Sequence, residues 1–178
     1  FDLFADAIND LMRMEAQWVV LGSGEAQYER LFTSMAHSLP QKVWTYIGFN
    51  NELAHLIEAG ADMFLMPSRY EPCGLNQMYS LRYGTVHNKK KTGGLADTVH
   101  DWDEYKAQGL DVGNGFSFID TTGYALGASV YRAVEAFKNK PLWRRIQMNG
   151  MKHDFSWRAS AARYVSLYEK AVARKQRF

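Results

Sequence analysis

The sequence holds one cysteine, Cys73, in 178 residues. A lone thiol excludes an internal disulfide and gives no sign of an oxidising compartment. No apolar run approaches the roughly 20 residues needed to span a bilayer. There is no charged segment followed by a signal-like apolar stretch and no initiator methionine. The chain opens at Phe1 in an already helical pattern, so it reads as a fragment or a cut domain. Neither charge is in excess: 21 Lys and Arg stand against 19 Asp and Glu, a net charge of +2. That balance makes no case for nucleic acid or an anionic membrane as partner. The five histidines are scattered without metal-ligand spacing, so no metal and no cofactor are expected.

What is present is core material. Apolar residues make up 47% and aromatics 14%, enough for one domain or one lobe of a larger protein and too much for disorder. "FDLFADAINDLM" has apolar residues at helical spacing. "QWVVLGSG" (17–24) reads as a buried strand ending in a Gly turn, and "EAQYERLFTSMAHSL" (25–39) as a helix stopped by Pro40. "KVWTYIGF" (42–49) is β-branched and aromatic, hence a strand. "NELAHLIEAG" (51–60) is a short helix and "ADMFLMP" (61–67) a strand. Strand and helix alternate with short connections, which calls for a parallel sheet flanked by helices, an α/β Rossmann-like fold. The strands are apolar throughout, which fits burial on both faces. "HDWDEYKAQGLDVGNG" (100–115) is polar and Gly-punctuated, a surface excursion. Residues 121–137 and 156–175 are amphipathic helices, the second opening on Ser156 as N-cap, with its aromatic stripe assigned to the core.

In open parallel sheets, ligands sit at the carboxyl ends of the strands. The loops 67–76 and 91–95 fall there. "PSRYEPCGLNQ" leads into a helix beginning near Gly74, whose N-terminus offers the backbone N–H groups of Gly74, Leu75 and Asn76 to an anion. Gly74 leaves room for close approach. On this segment alone an anion site and an ordinary strand-to-helix turn both stand open. Glu71, held extended by Pro72, suits hydrogen bonding to a sugar or acid–base work; a plain surface carboxylate is the other reading. Cys73 has no nearby base and reads as a small packing residue. "KTGGLADTV" (91–99) is a second Gly-rich turn, in which Asp97 or Thr92 suits bonding to hydroxyls. "GSG" (22–24) lacks the third glycine of a dinucleotide fingerprint and reads as a structural turn.

"ADMFLMPSRYEPCGLNQMYSLRYGT" followed by "KTGGLADTV" resembles the glycogen and starch synthase family. "VVLGSGEAQYE", "YIGFNNELAHLIEAGADM", "GFSF" and "MKHDFSWRASAARYVSLYEKA" support it, so the resemblance covers nearly the whole chain. It implies the C-terminal, donor-binding lobe of a two-lobed glycosyltransferase, residues 1–178, lacking its first strand and the N-terminal lobe. It implies transfer of glucose from ADP-glucose to an α-1,4-glucan with retention, the acceptor being held by the other lobe. Glu71 matches a carboxylate against the transferred glucose and Cys73 a cysteine lining the same pocket. Gly74, Leu75 and Asn76 match backbone donors to the diphosphate and sugar. Phe49 matches an aromatic that stacks on adenine. Tyr79 stands where many related transferases carry a ribose-binding carboxylate, a contact a phenol cannot reproduce. Thr92, Gly93 and Gly94 complete the implied site. An Arg and a Lys that neutralise the leaving diphosphate lie, in the family, before the first helix, and Arg69 is no evident replacement. The chain alone is then expected to be inactive. Location follows source, cytoplasm for a bacterial protein and plastid for a plant one.

One stretch departs from the family pattern. "GTVHNKKKTGG" places His87, Asn88, Lys89 and Lys90 where a buried apolar strand runs. Burying Lys is costly, so this strand is expected to be short, displaced or exposed. Two other readings stay open: a non-catalytic glucan-binding or interaction module, and a related transferase using a UDP-sugar.

Overall fold

The computed structural model describes residues 1–93 and 98–175. Helix α1 spans Asp2–Arg13, followed by β1 Trp18–Gly22, α2 Ala26–Ser38, β2 Val43–Ile47, α3 Asn51–Gly60 and β3 Met63–Met66. After the candidate site come α4 Asn76–Tyr83, β4 Val86–Lys90, α5 Trp102–Ala107, β5 Gly115–Phe118, α6 Gly123–Lys138, α7 Lys140–Met151 and α8 Trp157–Lys175. The alternation read from the sequence is present, and every strand pair is parallel. The loops that follow β1 and β2, and those that follow β3 and β4, therefore leave their sheets at carboxyl ends.

Hydrogen-bonded pairing divides the strands into two sheets, β1–β2 and β3–β4–β5. One apolar cluster serves both. Leu3, Phe4, Ala7 and Leu11 of α1 recur at helical spacing and meet Phe32, Val43, Phe118 and Leu126. Trp18 and Val20 of β1 and Met63 and Leu65 of β3 pack against the same cluster. A second cluster joins Val86, Trp102, Phe116, Ala133, Trp143 and Ile146. Burial on both faces does not hold for β1 and β2: Val19, Trp44, Tyr46 and Ile47 are exposed. An apolar composition in these two strands therefore does not mean burial.

The expectation for residues 87–90 is overturned. β4 is the middle strand of its sheet, with Met63–Met66 registered on Val86–Lys89 and Gly115–Phe118 on His87–Lys90. His87, Asn88 and Lys89 are at most 2% exposed. Two backbone ladders hold the strand whatever its side chains are. The polar groups adapt to it: Ser129 Oγ donates to Asn88 Oδ1 at 2.9 Å, and His87 stays neutral, its pKa pushed down to about 3 by burial and by the charge of Lys89. Lys89 is itself partnered.

The segment 100–115 is only partly a surface excursion. It contains α5, and Trp102, Asp101 and Asn114 are buried. Asp101 caps α5, accepting from the N–H groups of Asp103 and Glu104 at 3.0 and 3.3 Å. It also accepts from Ser117 N at 2.6 Å and from both terminal nitrogens of Arg132 at 3.1 Å. Burial alone would raise its pKa, but Arg132 and these N–H donors hold the carboxyl below its ordinary value. Helix α7 had no counterpart in the sequence reading. Helix α8 carries no buried residue, so its aromatic stripe is not core. Ala159 N donates to Ser156 Oγ at 3.4 Å, a long version of the expected cap. Among the described residues no helix is long and apolar enough to cross a membrane.

Candidate active site

The loop after β3 turns at Pro67 and Pro72 and enters α4 at Asn76. Leu75 is the N-cap and supplies no side-chain cap. The N–H groups of Gly74, Leu75 and Asn76 donate to no protein acceptor among the described residues. This is the open N-terminus expected from the sequence, and its dipole favours an anion. Leu75 and Asn76 are exposed, Cys73 is exposed and Glu71 is half-buried.

Gly74 is glycine for a different reason from the one expected. Its φ is +71°, and an added Cβ would lie 2.3 Å from Gln77 Oε1. The space over its Cα is thus filled by Gln77, not left open for a ligand. Gln77 is fully buried and its Nε2 donates to the Cys73 carbonyl at 2.6 Å. It folds back one helical turn and fixes the 73–74 backbone from beneath. No sequence argument singled it out, although a glutamine four residues after a loop carbonyl is placed to do this.

The two Gly-rich loops do come together. A Cβ at Gly93, whose φ is +45°, would lie 2.1 Å from the Glu71 carbonyl oxygen and 3.7 Å from Pro72 Cα. The turn at 92–93 therefore packs directly on the backbone that carries Glu71. Thr92 is half-buried in this contact region. Gly94 and Asp97 lie outside the described residues. Phe49, on the loop after β2, is 87% exposed and its ring is free to stack. Tyr79, one turn into α4, is partly exposed and its ring stands 5.3 Å from that of His55 on α3. His87 lies beneath the start of α4, close to the Asn76 backbone and 5.1 Å from the Phe64 ring. Arg69 is not available as a free cation: its Nε donates to Asp2 Oδ2 at 3.0 Å, with a second contact from Nη2. This pair ties the site loop to the first turn of α1. Beside it, Phe1, Val20, Gly22, Tyr28 and Ile47 line a shallow hollow at the carboxyl ends of β1 and β2.

The family described as "Glycosyl transferases group 1" matches residues 1–122, which include this whole constellation. The chain belongs to that family. It is 48% identical over 171 residues to the glycogen synthase of Koribacter versatilis, an alignment covering 96% of this chain and 34% of the relative. It is 52% identical over 167 residues to the glycogen synthase of Anaeromyxobacter dehalogenans, covering 94% and 34%. Among solved structures, the catalytic domain of starch synthase IV from Arabidopsis thaliana, bound to ADP and acarbose, matches with a TM-score of 0.82 at 32% identity. That match covers 97% of this chain and 36% of the other. Sucrose-phosphate synthase from Thermosynechococcus elongatus, at 20% identity and a TM-score of 0.59, shares the fold. This group 1 chain spans about a third of the length of the curated relatives it matches.

Proposed function

We propose that this chain is the nucleotide-sugar-binding lobe of a glycogen or starch synthase. In this reading the whole enzyme transfers glucose from ADP-glucose to the non-reducing end of an α-1,4-glucan with retention. The observation that carries the proposal is the open N-terminus of α4 with Glu71 and Cys73 on the loop that leads into it. The diphosphate of the donor lies on the N–H groups of Gly74, Leu75 and Asn76, where developing negative charge is stabilised as the leaving group departs. Glu71 faces the transferred glucose, Cys73 lines the same pocket, and the turn at 92–93 sets the position of the Glu71 backbone. Phe49 stacks on adenine, a flat contact with little rotamer entropy to lose. Tyr79 is the residue nearest the ribose. The starch synthase neighbour with bound ADP supports the choice of base.

The domain reading, one lobe with a further strand and a second lobe supplied from elsewhere, has two supports. The relatives are about three times as long, and β1 and β3 each keep an unpaired edge beside one shared cluster. Among the described residues of this loop Arg69 is engaged by Asp2, so the diphosphate is met there by backbone dipoles. The chain by itself therefore binds ADP-glucose weakly and transfers nothing.

Titration calorimetry with ADP, ADP-glucose and UDP tests the donor reading. Binding of ADP and ADP-glucose, with UDP a poor competitor, is expected. A folded sample that takes up no ADP at millimolar ligand would sink it, and preference for UDP would move the chain to a different donor. Labelled glucose entering glucan with this chain alone would overturn the expected inactivity.

A further inference from the structure

Helices α3 and α4 pack on one another and each starts at a loop assigned above to the donor. α3 begins at Asn51, just after Phe49, and α4 at Asn76. Side chains of a helix lean back towards its N-terminus. His55 therefore leans towards the Phe49 loop. Tyr79, whose N–H donates to the Leu75 carbonyl one turn back, leans towards the free N–H groups of α4. The two rings meet 5.3 Å apart at 59°. Tyr83 also touches the imidazole, at 6.3 Å and 67°. One turn further along α3, Ser80 Oγ donates to Glu58 Oε2 at 3.4 Å and Thr85 Oγ1 donates to the Glu58 carbonyl. These bonds pin α3 to α4 and fix the ring pair.

The imidazole is held by ring contacts and not by hydrogen bonds. Nδ1 is enclosed and has no partner among the described residues. Nε2 has no protein partner there either, and it is not enclosed. An enclosed nitrogen without a partner costs stability. Packing alone therefore does not account for a histidine, since phenylalanine fills the same space without that cost. What histidine adds is one open nitrogen, a single donor or acceptor. It stands beside a phenol that is 41% exposed.

In the donor reading adenine lies on Phe49 and the diphosphate on Gly74, Leu75 and Asn76. The ribose is the link between them, so it spans the groove between α3 and α4 above His55 and Tyr79. It carries two neighbouring hydroxyls. The Tyr79 hydroxyl can reach one of them, and the second needs another polar group. We propose that His55 is a specificity-determining residue of the donor site, its Nε2 bonding a ribose hydroxyl beside Tyr79. The assignment rests on the donor reading above.

Titration calorimetry of this chain compares ADP with dideoxy-ADP, whose ribose lacks both hydroxyls. The unmutated chain binds ADP about tenfold more tightly. His55→Phe keeps the ring contacts. It lowers ADP affinity about fivefold and leaves dideoxy-ADP within about twofold, whereas a packing role alone weakens both alike. Carbethoxylation read by mass spectrometry needs no variant: ADP protects His55, and inorganic pyrophosphate, which fills only the anion end, leaves it reactive. Equal affinity of the unmutated chain for the two nucleotides, equal losses in His55→Phe, or His55 unprotected by ADP overturns the assignment. A folded chain that binds no ADP strikes the donor reading and His55 with it. ADP bound together with any of those three outcomes strikes His55 alone.

Discussion

Gln77 sits at the second position of α4 with its side chain folded under residues 73 and 74. A Gly74→Ala replacement meets its Oε1 at 2.3 Å and also a φ of +71°. The expected cost is roughly 1–3 kcal/mol in urea unfolding, together with weaker ADP binding as the free N–H groups rotate. At Gly93 the obstacle is backbone, the Glu71 carbonyl 2.1 Å from an added Cβ, so Gly93→Ala pushes the two site loops apart. ADP affinity falls about tenfold or more, a loss of roughly 1.4 kcal/mol, and calorimetry reads it directly. His87 gives a pH signature. Its folded pKa of about 3 lies below the unfolded value of 6.5, so between them the unfolded chain binds the extra proton. Stability from this group is complete above about pH 6.5 and falls as the pH drops towards 3, by up to about 1.4 kcal/mol per unit. His87→Val flattens that limb in unfolding measured from pH 7 to pH 5. The open N-terminus of α4 was legible in the sequence because a Pro–X–Gly turn before a helix has a known geometry. Gln77 was not, because its role depends on a side chain folding back onto the loop.

At the scale of elements, the first six helices and strands were readable because each carries its own apolar spacing or run, even where, as in α3 and β2, little of it is fully buried. Strand β4 was not readable from composition, since its stability comes from ladders to β3 and β5. Helix α7 buries Trp143, Ile146 and Gly150 at helical spacing, but its many polar residues masked that period. Its N-terminus is nonetheless signalled by Asn139, whose side chain accepts from Leu142 N at 3.2 Å, with Pro141 in the first turn. The join of α5, β5 and α6 rests on Asp101 and Arg132. Arg132→Met leaves the buried Asp101 carboxylate without its cation. It is expected to cost roughly 2 kcal/mol, less than the ~3–5 of a fully enclosed pair, because the Arg132 side chain is 35% exposed. Because the Asp101 pKa is lowered in the fold, its contribution is present above the unfolded carboxylate pKa and is lost as the pH falls through the folded one. Acid titration of Asp101→Asn therefore alters the limb below about pH 5 and leaves the His87 slope between pH 7 and pH 5 unchanged.

At the scale of the whole molecule, the helix α8 and the divided sheet stand out. No residue of α8 is buried, and Tyr164, Val165, Leu167, Tyr168 and Val172 are exposed. Removing residues 157–178 is expected to shift the thermal midpoint by no more than about 1 °C, under the roughly 2–4 °C that loss of about 1 kcal/mol brings in a domain of this size; scanning calorimetry decides it. The divided sheet sets clocks as well as shape. Strand β4 has a hydrogen-bonded neighbour on each side, whereas among the described residues β1 and β2 have only each other. Amide protons of β4 should then outlast those of β2 in deuterium, by a factor that reports how far the two sheets open independently. Where the lattice of hydrogen bonds is interrupted, solvent sets the pace, and this chain keeps two different times.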